Sequence, residues 1–359
     1  MTELAAATDR WLAAHTTLGL GGPAETFVTA QDTPELLAAV HTADQAHVPV
    51  LLLGGGSNLV VSDTGFPGTV VRIASRGISV QTDDASSSRC HVRVAAGEDW
   101  NFFVEWSVTE GLSGVECLAG IPGNVGATPV QNVGAYGQDV SQTITEVVVY
   151  DRWQQRTRVL AAGDCAFSYR NSALKGTDRF VVCEVGFALS RSPESRPIAY
   201  QELATSLGVR PGDTVPLRAA YEAVLDLRRG KGMVLDPNDP DTRSAGSFFT
   251  NPILSPAEYI EFCNRAAQQL NRDVAPPEFL APDGRVKTSA AWLIDRSGFD
   301  RGYSRGPVRI STKHTLALTN PGGGTTAELL ALAREIRAGV VETFGVFLVN
   351  EPMLVGVQL

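Results

Sequence analysis

Residues 111–137 read GLSGVECLAGIPGNVGATPVQNVGAYG, and the fold turns on what this stretch is. It holds seven glycines and two prolines, Pro122 and Pro129, and follows neither the helical nor the strand period. A loop of this length inside a domain is uncommon unless it has a function, so it is either flexible or shaped around a ligand. Working outward, Asp99 caps a helix over Trp100–Glu110, which Gly111 closes. A strand is expected at His91–Val94 before it. After it, β-branched alternation predicts strands at Thr143–Tyr150, Arg156–Leu160 and Phe180–Leu189. The result is a mixed α+β chain.

Upstream, Asp32-Thr33-Pro34-Glu35 opens a helix. Val48–Leu53 then reads as a buried strand stopped by Gly54-Gly55-Gly56-Ser57-Asn58, and a second apolar run follows at Gly68–Ile73. Consecutive glycines after a strand let backbone amides converge on an anion, and Ser57 and Asn58 add side-chain donors. Taken by itself the motif reads better as a plain glycine turn, since short glycine motifs are weak signals. Without a following Gly-Lys-Ser/Thr it supports no P-loop. Taken with Gly120–Ala127 and Gln131–Gly137, it favours a pyrophosphate-bearing cofactor. Gly19-Leu20-Gly21-Gly22-Pro23-Ala24 matches a dinucleotide fingerprint in letters only. No strand precedes it, and Pro23 stands where the helix would begin, so it is a turn.

The remaining segments build a second region. The polar, proline-broken run Asp236–Asp241 marks a boundary. Helices are expected from Ser255-Pro256-Ala257-Glu258 to about Leu270, from Ser289 to Ser297, and through Leu329, Leu332, Ala333, Ile336, Val340 and Phe344. A last strand is expected at Val346–Val349. At 359 residues and 43% hydrophobic, the chain is long enough for two or three domains. With 30 basic against 39 acidic residues its net charge is −9, which repels nucleic acid and membrane surfaces. Five scattered cysteines, none in CxxC spacing, read as free thiols of the cytoplasm, and no metal site is expected. Met1–Arg10 carries no apolar core of a signal peptide.

Three polar clusters could carry chemistry. Ser168-Tyr169-Arg170-Asn171-Ser172 sets an arginine among small polar residues, suited to a carboxylate or phosphate, or simply on a surface loop. Ser244-Ala245-Gly246-Ser247-Phe248-Phe249-Thr250-Asn251-Pro252 places Ser247 beside two rings. It is no nucleophile elbow, and its hydroxyl is either a proton donor or a turn cap. Glu351, just before Pro352, reads alone as a solvated acid.

In this order, GGGSN, IPGNVGATPVQNVGAYG, SYRNS, AGSFFTNP and NEP resemble the UDP-N-acetylenolpyruvoylglucosamine reductase (MurB) family, from about His15 to Val355. The resemblance implies a two-part FAD-binding unit of the vanillyl-alcohol-oxidase (PCMH) type and a C-terminal α+β substrate-binding domain. Its divisions would be 1–73 and 74–232 for FAD, 233–345 for substrate, and 346–359 for a strand carrying an acid. It further implies non-covalent FAD held by Gly54, Gly55, Gly56, Ser57, Asn58, Ile121, Pro122, Gly123, Gly126, Ala127, Asn132, Gly134, Ala135 and Tyr136. Tyr169, Tyr200, Lys231 and Asn251 would contact substrate or NADPH. Tyr200 places the chain with the longer, tyrosine-loop form.

By the same resemblance Arg170, Ser247 and Glu351 are catalytic. NADPH would supply the hydride, C3 of the enolpyruvyl ether of UDP-N-acetylglucosamine would be reduced, and Ser247 would protonate C2. Arg170 and a protonated Glu351 would stabilise the enolate charge. A carboxyl that must donate a hydrogen bond needs a raised pKa. The family commonly reads Lys-Leu-Pro-Asp-Pro where this chain has Lys231 followed by Gly-Met-Val-Leu-Asp-Pro. Membrane and nucleic-acid partners are not expected, and a monomer is. The alternatives are another FAD oxidoreductase on the same scaffold and a nucleotide-sugar binder without catalysis.

Overall fold

The computed structural model describes residues 10–81, 87–270, 275–281 and 283–359; the expectation for Met1–Arg10 falls almost wholly outside them. Two compact units emerge: residues 24–56 with 67–234, and residues 1–23 with 57–66 and 235–359. They are described in turn.

The first unit is built on a mainly antiparallel sheet. Its strands run in the order Arg156–Ala161, Ile144–Asp151, Phe180–Arg191, Arg89–Ala95 and Ile78–Gln81. Every second residue of Arg89–Ala95 is buried, as a sheet with one covered face requires. Helix Trp100–Thr109 covers that face. Asp99 caps it by accepting from the Phe102 amide, and Trp100, Phe103 and Phe187 cluster beneath it, the last two with centroids 4.8 Å apart. A smaller sheet orders Ala24–Ala30, Phe66–Ile73 and Val50–Leu53, with the last two parallel in register. Helix Thr33–Gln45 packs on it through Leu36 and Val40, and its Asp32 cap accepts from the Glu35 amide as expected.

The glycine-rich stretch is a shaped loop, sewn to this unit by its own backbone. Trp100 donates from its amide to the Gly123 carbonyl at 3.0 Å and from its indole to that of Leu118 at 3.0 Å. The amides of Val125 and Gly126 donate to Glu98 and Ala96. The Asn124 side chain bonds the carbonyls of both Ile73 and Gly97.

Asp151, fully buried, pins the turn of the outer hairpin. It accepts from Arg179 at 2.6 Å, Arg158 at 3.2 Å and the amides of Trp153 and Gln154. The Arg179 hydrogen bonds hold its carboxyl well below the usual aspartate range. A carboxylate depressed on folding stabilises the protein fully above its unfolded pKa, about 3.9, and loses that contribution as pH falls toward the folded value. Asp151→Asn is therefore expected to lower the thermal midpoint at pH 7. The gap from wild type should begin to narrow below about pH 4 and close only as the folded carboxyl itself protonates, read in acid-unfolding curves.

The second unit packs helices Pro256–Gln269, Ala290–Arg296 and Thr326–Phe344 around small sheets. The capping boxes at Ser255/Glu258 and Thr325/Glu328 form. Asp63 accepts from the amides of Thr326 and Ala327 at the start of the long helix, where a carboxylate is favoured. Strand Leu59–Val61 pairs in parallel with Met353–Val355. These contacts explain why residues 57–66 count with the C-terminal unit, although a sequential reading puts them in a segment ending at residue 73.

Val346–Val349 is not a strand; the strand lies after Pro352, at Met353–Val355. Val346 and Leu348 are buried while Phe347 and Val349 are exposed, so the alternation is real, but pairing among the described residues amounts to the Thr250 amide on the Val349 carbonyl at 3.0 Å and an isolated Phe249–Asn350 bridge. Strand Ala24–Ala30 and helix Gln201–Leu207 were not expected. In the Gly19–Ala24 segment no helix follows the glycines: the turn lies just before it at Thr17–Leu18, Pro23 bridges to Trp11, and a strand begins at Ala24.

Candidate functional site

The Gly54–Gly56 loop and the Ile121–Ala127 loop meet backbone to backbone. A Cβ on Gly55 would lie 2.7 Å from the Gly123 Cα, so only glycine allows this approach. Gly54 in turn faces Asn124 and Ala127. A narrow cradle lined by main chain is what a pyrophosphate-bearing cofactor such as FAD needs, since amide dipoles can crowd its anionic oxygens without side-chain interference. The residues present fit that group. Ser57 and Asn58, next in sequence, belong to the other unit.

Arg170 joins the same unit's loop system. Its guanidinium donates to the Gly134 carbonyl at 2.5 Å and to that of Asn132 at 3.4 Å, and it lies over the Tyr169 ring at 5.3 Å. Asn132 donates back to the Ser168 carbonyl at 3.1 Å, and Ser172 to that of Val130 at 2.6 Å. Lys175 donates to the Arg170 carbonyl at 2.9 Å. Among the described residues, six non-glycine residues have positive φ, and three of them are Asn132, Tyr136 and Arg170. Left-handed backbone at ordinary residues costs of order 1–3 kcal/mol each and clusters where geometry is functionally constrained.

A second grouping in this unit gathers Tyr136, Tyr200 and Lys231. The two tyrosine rings meet edge-on with centroids 5.5 Å apart, and the Lys231 ammonium lies 5.5 Å from the Tyr136 centroid. Burial pushes the Tyr136 phenol up to about 12, against the opposing charge of Arg228. Two residues here were missed from sequence. Glu202 pairs with Lys231 at 2.6 Å. Arg228, buried in the last turn of helix Leu217–Gly230, donates to the carbonyls of Gly120 and Met233. Desolvation lowers its pKa to about 10, which leaves it charged at neutral pH. The only sequence signal for Glu202 was an acid two residues after Tyr200; for Arg228 there was none.

In the C-terminal unit, Ser247 ends strand Ser244–Ser247, which pairs with Ala317–Thr319. Register slips between Ser244 and Ser247, where Ala245 and Gly246 stand against Leu318 alone, and Gly246 takes φ 72°. Such a bulge re-aims the side chain that follows it. Phe248 and Phe249, fully buried, fix the strand end, and the Glu351 amide donates to the Phe248 carbonyl at 2.9 Å. Asn58 donates to the Glu351 carbonyl at 3.4 Å and accepts from the Met353 amide. Ser247 and Glu351 are thus carried on bridged segments. Asn251 accepts from the Ala290 amide at 2.9 Å.

The unusual run after Lys231 has a structural outcome. Asp241 within it is buried and accepts from Arg309 at 3.1 Å and from the Thr312 hydroxyl, while Asp239 pairs with Lys313 at 2.6 Å. Among the described residues, no group of three His, Cys, Asp or Glu could hold a metal, and no helix is long and apolar enough to cross a membrane.

Two family models match the chain. Residues 237–355 match the family model "UDP-N-acetylenolpyruvoylglucosamine reductase, C-terminal domain", and residues 24–152 match "FAD binding domain". The chain is 63% identical to the UDP-N-acetylenolpyruvoylglucosamine reductase of Thermobifida fusca, over 97% of both chains. It is 57% identical to that of Streptomyces avermitilis, over 98% of this chain and 95% of the other. Among solved structures it is similar to UDP-N-acetylenolpyruvylglucosamine reductase (MurB) from Thermus caldophilus. That match has a TM-score of 0.64 at 26% identity, over 96% of this chain and 97% of that one.

Proposed function

The chain belongs to the UDP-N-acetylenolpyruvoylglucosamine reductase family, and from that premise we propose which of its residues perform the reduction and how. The activity is the FAD-dependent, NADPH-driven reduction of UDP-N-acetylglucosamine enolpyruvate to UDP-N-acetylmuramate. FAD, when bound, relays the reducing equivalents of NADPH to C3 of the enolpyruvyl group. The rest falls to side chains.

As C3 is reduced, negative charge develops at C2 and on the neighbouring carboxylate. Arg170 offers a fixed guanidinium to that charge, and Glu351 a carboxyl. Preorganised groups of this kind cost no reorganisation at the moment of reaction. Ser247 delivers the proton to C2; its hydroxyl is a weak acid, but the enolate is a strong base. Lys231, Tyr200, Tyr169 and Asn251 contact the nucleotide sugar or NADPH. Gly54–Asn58, Ile121–Gly123, Gly126, Ala127, Asn132 and Gly134–Tyr136 hold FAD. The observation that carries this reading is the bulge at Gly246. It turns Ser247 on a strand end bridged to the Glu351 segment.

The same reading makes the chain a cytoplasmic monomer that supplies a peptidoglycan precursor for cell-wall growth and division. Its five cysteines are all free thiols. An anaerobic visible spectrum tests the proposal. NADPH should bleach the flavin, and the enolpyruvyl substrate should restore it. Restoration by oxygen alone would point instead to another oxidoreductase on this scaffold.

A further inference from the structure

Lys231 follows the last residue of helix Leu217–Gly230, its amide donating to the Arg228 carbonyl at 3.1 Å. Its ammonium has two neighbours. One is the Tyr136 ring and the other is Glu202, whose carboxylate accepts its hydrogen bond at 2.6 Å. Glu202 sits in the first turn of helix Gln201–Leu207, where the helix dipole favours a carboxylate, and Tyr200 is the residue at that helix's N-cap. The chain ahead of Tyr200 is anchored. The Arg196 amide donates to the buried Glu116 carboxylate at 2.6 Å, and Ile198 bonds the Asp213 carbonyl. The pair itself is partly open, with side chains 31% and 41% exposed.

An ammonium assigned to an anionic ligand thus already has a carboxylate counter-ion within hydrogen-bond distance. A ligand phosphate and the Glu202 carboxylate cannot both take the near side of Lys231 without like-charge repulsion. A partly exposed pair of this type is weak enough to exchange partners. We propose that Glu202 is a competing counter-ion for Lys231, displaced when the diphosphate of the nucleotide sugar takes the ammonium, and that it thereby weakens binding and speeds release. This rests on the reading of Lys231 as an anion contact. Glu202 is assigned here as a positioning residue, acting through its hydrogen bond to Lys231.

The test is calorimetric titration of the oxidised holoenzyme, which does not turn over, with UDP-N-acetylglucosamine enolpyruvate and separately with NADP⁺. Glu202→Gln should tighten the nucleotide sugar about two- to fivefold, the range expected of an exposed pair. Its dissociation rate should fall to match. In a Lys231→Gln background the same substitution should have no effect. Glu202→Ser, tolerated in a first helical turn, should repeat the tightening if the glutamine variant does not retain flavin. Tightening of NADP⁺ alone would keep the counter-ion and assign its competitor to the dinucleotide phosphates. Unchanged or weaker binding in Glu202→Gln, or a gain that persists with Lys231→Gln, overturns the proposal while leaving the functional reading standing. No binding of either ligand by the wild-type chain would overturn both.

Discussion

Ser247→Ala is expected to leave flavin reduction by NADPH at its wild-type rate and to slow reoxidation by the enolpyruvyl substrate by about a thousandfold. The magnitude is that of a lost general acid. The selectivity follows from chemistry, because only the second half-reaction protonates carbon. The structure makes alanine a clean probe. Ser247 pairs with Ala317 through its backbone, and its position is set by the Gly246 bulge and the buried rings of Phe248 and Phe249. None of these depends on the hydroxyl. Stopped-flow measurement of each half-reaction decides the matter: an equal fall in both would remove Ser247 from the proton-transfer step.

The second large effect is expected at Arg170. Arg170→Lys should slow the same half-reaction about a hundredfold or more, the size seen when one preorganised donor to a developing oxyanion is removed. Lysine keeps the charge but not the planar fork, which here reaches two carbonyls at once, those of Gly134 and Asn132. A single ammonium cannot hold both and still present a donor at a defined angle. The backbone at 170 is left-handed, with φ 53°, and its carbonyl is held by Lys175, so the loop should keep its path. Flavin content and NADPH reduction are the controls. Reoxidation at the wild-type rate in Arg170→Lys would show that charge alone suffices or that another cation does the work.

Much of the fold could be read from local signals. Asp32, Asp99 and Ser255 cap helices as their sequence contexts require, because a cap and its first turn lie within four residues of each other. The glycine loops stood out for the same reason: runs of residues without Cβ serve few purposes other than close approach. The motifs of the candidate site were likewise legible as an ordered set of family resemblances. Glu202 and Arg228 were not, since an acid in a helix and an arginine near its end are ordinary surface choices until packing buries or pairs them.

The α+β character, the two glycine loops and the candidacy of Arg170, Ser247 and Glu351 were already legible in the residues. Where the short strands lie, and what they join, emerged only from long-range pairing. Leu59–Val61 and Met353–Val355 are three residues each, too short to declare themselves by periodicity, and they become strands by pairing across almost the whole chain. That pairing, with Asp63 on the Thr326 helix, places residues 57–66 with the C-terminal unit. The bulge at Gly246 and the left-handed backbone at Arg170 are of the same kind. The bulge is a mismatch with strand Ala317–Thr319, and the Arg170 guanidinium is held by the carbonyls of Asn132 and Gly134, partners distant in sequence that no local pattern reveals.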